Sequence, residues 1–198
     1  LGPPTRGYSQ RFAGVPVTIV VTFTPTGARF VSGAPMSELR DQGVDLAELL
    51  GDSGRRLRDV LGAMATHEER LDAIERFLLQ RLDECTGREL RVARLVHDAV
   101  GELQRRHVAG QAPMSSPDPD ALFGKSGRQL RRLFKTIIGL NPHAVLRIER
   151  FHHALSLAYA ERPPRCAHIA ARCVYYYQAH MIADFQALDI ASQYQLVR

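Results

Sequence analysis

The sequence predicts a mainly α chain with a small α+β segment at its N-terminus. Two observations predict this. The one β-branched run, Val-Pro-Val-Thr-Ile-Val-Val-Thr-Phe, occupies residues 15–23 and has the composition of a strand. After residue 35, apolar residues recur at three- and four-residue spacing, separated by breakers, which is a helical period.

Each element follows from its residues. Pro16 cannot donate to a ladder, so it belongs at the start of the strand or on an edge. Thr24-Pro-Thr-Gly27 then reads as a turn. Pro35 to Leu50 carries Met36, Leu39, Val44, Leu46, Leu49 and Leu50, interrupted by Gly43, and reads as two short helices. Gly51 and Gly54 bracket a break, and Arg55 to Met64 is a further short helix. Thr66 is an N-cap, with Glu68 and Glu69 facing the positive end of a helix whose inner stripe is Leu71, Ile74, Phe77, Leu78 and Leu82. Thr86-Gly87 ends it. A long helix over about 88–107 turns Leu90, Val92, Leu95, Val96, Val100 and Leu103 inward. Residues 110–120 hold three prolines and two serines and read as loop.

The later helices are amphipathic. Ser126 is an N-cap and Gly139 a stop for a helix whose apolar face is Leu130, Leu133, Phe134, Ile137 and Ile138. Asn141-Pro142 starts the next, about 143–160, which Pro163-Pro164 ends. Shorter helices follow at about 167–173 and 176–188. Leu130, Phe134, Leu146, Phe151, Ile169 and Phe185 are the expected core.

Charge divides the chain. Residues 1–85 carry 10 Arg against 12 Asp and Glu, a net of −2, and residues 86–198 carry 16 Lys and Arg against 9 Asp and Glu, a net of +7, which together return the chain's +5. A basic half suits a polyanion-binding module. A GC-rich genome accounts for the choice of Arg over Lys but not for the asymmetry. The boundary is placed near Thr86, giving an N-terminal α+β domain over 1–86, for sensing or protein contact, and a second domain over 87–198. No run is long and apolar enough for a membrane span, and no signal peptide is visible. Three cysteines without framework spacing point to a reducing cytoplasm.

Ser126-Gly-Arg-Gln-Leu-Arg-Arg-Leu-Phe134 presents Arg128, Gln129, Arg131, Arg132 and Lys135 outside its apolar stripe. Arg pairs with guanine and Gln with adenine in the major groove, and later-turn cations suit phosphates. A solvated basic face is the bland alternative. Cys166, His168 and Cys173 lack zinc spacing, so buried thiols and a capping or solvent-facing histidine are expected, and no metal or cofactor. Cys85 lacks the clustering that activates a thiolate. Neither a phosphate loop nor a catalytic triad stands out, so no enzyme is expected. Tyr175-Tyr-Tyr177 suits either stacking or core packing.

With Ile138-Gly-Leu-Asn-Pro142, Arg147-Ile-Glu-Arg-Phe-His-His-Ala-Leu155, Ile169-Ala-Ala and Gln178-Ala-His-Met-Ile-Ala-Asp-Phe185, that segment resembles the AraC family of bacterial transcription regulators over about residues 88–192. Phe23 to Ala28 and Val44 to Leu50 are similar to the later part of an N-terminal domain that accompanies one branch of the family, so an upstream portion is expected. The resemblance implies C-terminal tandem helix-turn-helix units joined by a long helix, placed in successive major grooves of double-stranded DNA. It puts the reading positions at Gly127, Arg128, Gln129 and Arg132, and at Tyr177, Gln178, Ala179 and His180. RNA polymerase and a small-molecule effector are further partners open to such a regulator, and a membrane is not.

Three features depart from the family pattern. Pro117 and Pro119 shorten the scaffold helix of the first unit to about 120–123, or start it at Pro119. Val174 stands where a turn glycine is expected, and Ile190-Ala-Ser-Gln193 replaces a closing Gly-x-x-Pro. The alternative reading is therefore a protein-binding or DNA-binding-impaired regulatory module with a degraded second unit.

Overall fold

The computed structural model describes residue 3 and residues 19–108, 124–161 and 164–188, with the backbone alone at 106–108. Among these residues there are nine helices and no strand. They are α1 Ala28–Ser32, α2 Leu46–Leu50, α3 Asp52–Ala63, α4 His67–Asp83, α5 Gly87–Val108, α6 Gly127–Ile137, α7 Pro142–Ala160, α8 Cys166–Arg172 and α9 Gln178–Leu188. No helix among the described residues is long and apolar enough to cross a membrane.

The expected α+β segment is not seen. Residues 19–23 carry no strand, and 15–18 lie outside the described residues. A β-branched run becomes a strand only when another strand takes its backbone groups. Here Val20 is 75% exposed and Val21 and Phe23 are exposed with it. The turn after them forms, with the Gly27 N–H donating to the Thr24 carbonyl at 2.9 Å.

Backbone contacts divide the chain into two units interleaved in sequence. Residue 3, Thr22–His97 and Arg132–Leu140 fall in one, and the described parts of Pro4–Val21, Asp98–Arg131 and Asn141–Arg198 in the other.

In the first unit, α4 packs on α1 and α3, and α3 packs on α2. α2 is capped by Asp45, whose carboxylate accepts from the Ala47 N–H at 2.7 Å. The first of the two helices expected over Pro35 to Leu50 is instead a run of turns with bonds such as Glu38 N–H to the Pro35 carbonyl, and Asp41 within it is left-handed at φ 57°. The break expected between Gly51 and Gly54 is confined to Gly51, at φ 57°. Gly54 lies inside α3, where a Cβ would sit 2.3 Å from the Leu46 carbonyl oxygen. Its hydrogen lets α2 and α3 touch through their backbones.

The start of α4 is a full capping box. Thr66 Oγ1 accepts from the Glu69 N–H at 3.2 Å, and Glu69 Oε2 accepts from the Thr66 N–H at 3.1 Å. Hydrogen bonds to the carboxylate, from the Thr66 N–H first, then the Thr66 side chain and the Ala65 N–H, hold the Glu69 carboxyl below its ordinary value. A lowered carboxyl supports the fold above its ordinary range and loses that support as pH falls through the lowered value.

Thr86 is not the end of α4 but the cap of α5. Its Oγ1 accepts from the Glu89 N–H at 3.2 Å, and Glu89 Oε2 accepts from the Thr86 N–H at 3.0 Å. The Thr-x-x-Glu spacing was visible in the sequence. Val96, Val100 and Leu103 of α5 are buried, but Leu90 is exposed, as are Leu71 and Leu82 of α4. α4 is covered by α1 and α3 along only part of its stripe.

In the second unit, α7, α8 and α9 pack on one another. Asn141 caps α7 by accepting from the Ala144 N–H at 2.8 Å, and Pro142 occupies the first turn, where it has no N–H to lose. The core between them is Ala154, Ile169, Ala170, Cys173, Tyr175 and Met181. Leu130, Phe134, Leu146, Phe151 and Ile169 are buried as expected, while Phe185 is half-buried against that core.

Candidate nucleic-acid interface

α6 is fixed at both ends by its own sequence. Ser126 Oγ accepts from the Gln129 N–H at 3.3 Å, and Gln129 Oε1 accepts from the Ser126 N–H at 3.1 Å. The serine cap seen in the sequence is therefore a reciprocal box, with Gln129 as its second member. At the other end Gly139 is left-handed at φ 86°, and its N–H donates back to the Phe134 carbonyl at 3.1 Å. A Cβ at Gly139 would lie 2.6 Å from the Met36 carbonyl oxygen, so the stop also requires glycine sterically.

Between these ends the helix has two faces. Leu130, Phe134 and Ile137 are buried, and Arg128, Gln129, Arg131, Arg132 and Lys135 are exposed. None of the four cations has a carboxylate partner among the described residues, whereas Arg55 and Arg81 of the first unit each have one. α6 also lacks an acidic residue in its first turn, where α3 and α5 have one and α4 has two. The first turn of α6 therefore has no acidic side chain of its own helix facing its positive end. Gly127 is the first residue of the helix and half-buried.

α8 and α9 are joined by a tight turn. The Tyr175 N–H donates to the Ala170 carbonyl at 2.9 Å and the Val174 N–H to the Ala171 carbonyl at 3.2 Å. That pair of bonds is a Schellman motif, and Val174 occupies its left-handed position at φ 55°. A β-branched side chain there is strained by about 1–2 kcal/mol. Val174→Gly is accordingly expected to raise stability by about 1 kcal/mol in denaturant unfolding. An unchanged or lower midpoint contradicts the strain.

After the turn the three tyrosines separate. Tyr175 is buried, and its hydroxyl has no hydrogen-bond partner among the described residues. Burial, then the charge of Asp184, pushes that phenol well above its ordinary value. Tyr176 and Tyr177 are 81% and 66% exposed and meet edge to face at 4.4 Å between ring centres. Gln178, Ala179 and His180 continue the exposed surface, with the His180 ring edge-on to Tyr175 at 5.4 Å.

A group that the sequence reading did not single out holds this surface in place. Asp184, 2% exposed, accepts from Arg147 Nε at 2.6 Å and lies 3.4 Å from Arg150 NH2. Arg150 in turn lies over the Tyr175 ring at 4.5 Å. α7 thereby clamps α9 and the turn before it. A lone acid on the inner side of α9 was the available signal.

The cysteines take part in packing. Cys173 is fully buried, Cys166 packs on the same core, and burial raises the Cys173 and Cys85 thiols. His168 Nδ1 lies 3.1 Å from Glu161. The proline-bearing stretch 117–119 and the 190–193 replacement lie outside the described residues.

Comparison with models of protein families, with curated proteins and with solved structures returns no match, so the resemblance to AraC-type regulators rests on the quoted residues alone.

Proposed function

We propose that the chain is a sequence-specific regulator that binds double-stranded DNA through two helix-turn-helix units joined by α7, with α6 and α9 as the helices that enter the major groove. The observation that carries this reading is the α6 face: four exposed cations without carboxylate partners among the described residues, on a helix capped at both ends. Rigid ends hold Arg128 at a fixed place in the first turn, where side chains reach base edges. Arg131, Arg132 and Lys135 extend the same charge along the helix toward phosphate. The reading assigns recognition rather than catalysis, with transcriptional control as the output.

The test is salt dependence. Affinity for duplex DNA is expected to fall steeply as salt rises, by about 0.9 of a log unit per log unit of salt for each phosphate contacted. Salt-independent affinity, or no binding at low salt, contradicts DNA as the partner.

A second reading is favoured by one observation. The exposed face of α9 holds Tyr176, Tyr177, Ala179 and Ile182 nearby or upon it, and α9 has no Lys or Arg. In that reading the second helix-turn-helix unit contacts a protein while α6 alone engages DNA.

A further inference from the structure

We infer that Gln178, and not Gln129, is the side chain with which this protein reads adenine. The inference rests on the DNA-binding reading above. Adenine offers the major groove an acceptor at N7 and a donor at N6, and a carboxamide matches both when its oxygen accepts and its nitrogen donates. Both glutamines lie in the first turn of a helix proposed to enter the groove, but their carboxamides are in different states.

Gln129 Oε1 is held by the Ser126 N–H at 3.1 Å, so the carboxamide is folded back over the start of its own helix. Extending it toward a base breaks the capping box, an equilibrium cost of about five-fold for a typical cap. Gln129 is a positioning residue that fixes the turn from which Arg128 projects. Gln178 is exposed at the first position of α9, and its carboxamide has no hydrogen-bond partner among the described residues. Tyr177 beside it is exposed, and the turn that carries both is held by the Schellman bonds and by the Asp184 clamp. Because α9 has no Lys or Arg, its contribution to binding is base contact with little phosphate charge. The two helices divide the work: α6 supplies charge and guanine recognition, and α9 supplies adenine recognition.

The experiment selects duplexes from a randomised pool with the full chain, then measures affinity on a selected and a random duplex. Gln178→Ala is expected to lose about 5- to 150-fold on the selected duplex and little on the random one. Replacing one particular adenine by 7-deazaadenine, which lacks the N7 acceptor, weakens the wild-type chain but not Gln178→Ala. Gln129→Glu keeps a Ser-x-x-Glu box, so it retains the adenine preference while its added charge lowers affinity equally on both duplexes. Gln129→Ala lowers the unfolding temperature, and the Glu variant restores it.

Adenine preference that persists in Gln178→Ala, or that vanishes at one base pair in Gln129→Glu, overturns the assignment. So does a chain that binds duplexes yet shows no adenine sensitive to deazaadenine, and in that case the DNA reading stands. A chain that binds no duplex at all overturns the DNA reading and this assignment with it.

Discussion

Phe134→Ala is expected to cost about 3–5 kcal/mol of unfolding free energy. Phe134 is fully buried at the centre of the inner face of α6. Removing the ring forfeits its transfer from water and leaves a cavity that the surrounding helices close only in part. A small domain has roughly 5–15 kcal/mol in total, so the variant should lose a large fraction of its stability and unfold at a markedly lower denaturant concentration. The Phe134 carbonyl also receives the N–H groups of Ile138 and Gly139, so the stop of α6 should loosen with it. Chemical denaturation followed by circular dichroism measures the loss, and Phe134→Met, which keeps most of the volume, should lose much less. A loss under about 1 kcal/mol for the alanine variant contradicts the burial of this face.

Asp184→Ala is expected to cost about 3 kcal/mol. Removing one partner of a buried ion pair leaves the other charge without compensation, at about 3–5 kcal/mol. The lower end applies because the Arg147 side chain is 35% exposed, while that of Arg150 is 18% exposed. Asp184→Asn keeps an oxygen to accept from Arg147 Nε and should lose less. The alanine variant should also free the turn around Tyr175, since Arg150 lies over that ring. Amide exchange at Tyr175, whose N–H closes the turn, should rise more than exchange in α4. An unaltered unfolding midpoint together with unaltered exchange contradicts the clamp.

The parts of the structure that were legible in the sequence are those that one helix decides alone. Thr66, Ser126 and Asn141 cap their helices because a short polar side chain satisfies a backbone N–H two or three residues away. Gly139 was legible as a stop, and it is left-handed; that Val174 stands at a left-handed position was signalled only by the resemblance, which puts a turn glycine there. The periodic apolar faces of α6, α7 and α8 likewise located Phe134, Phe151 and Ile169 in the core.

What was illegible depends on contact between elements. Gly54 reads as a helix breaker until the Leu46 carbonyl is known to lie against it. Asp184 and Arg147 are 37 residues apart and share no local pattern. The β-branched run over 15–23 has the composition of a strand, yet residues 19–23 find no partner strand among the described residues. Leu71, Leu82 and Leu90 have helical spacing without being covered. For the candidate interface, the sequence named the exposed residues of α6 and α9, but it could not show that the Gln129 carboxamide is engaged by Ser126 while that of Gln178 has no partner among the described residues.

The proposed DNA contact has α6 read bases with its first turn and hold phosphate with its later one. The most direct measurement compares Arg128→Ala and Lys135→Ala on a selected duplex and on a random duplex at one salt concentration. Both side chains are exposed and neither has a carboxylate partner among the described residues, so neither change should disturb the fold. Arg128→Ala is expected to lose about 1–3 kcal/mol on the selected duplex, with relaxed preference at one base pair and a smaller loss on the random duplex. Lys135→Ala is expected to lose affinity equally on both, with the salt slope reduced by about one. Equal losses for the two variants on both duplexes contradict base reading and leave α6 as a basic face alone.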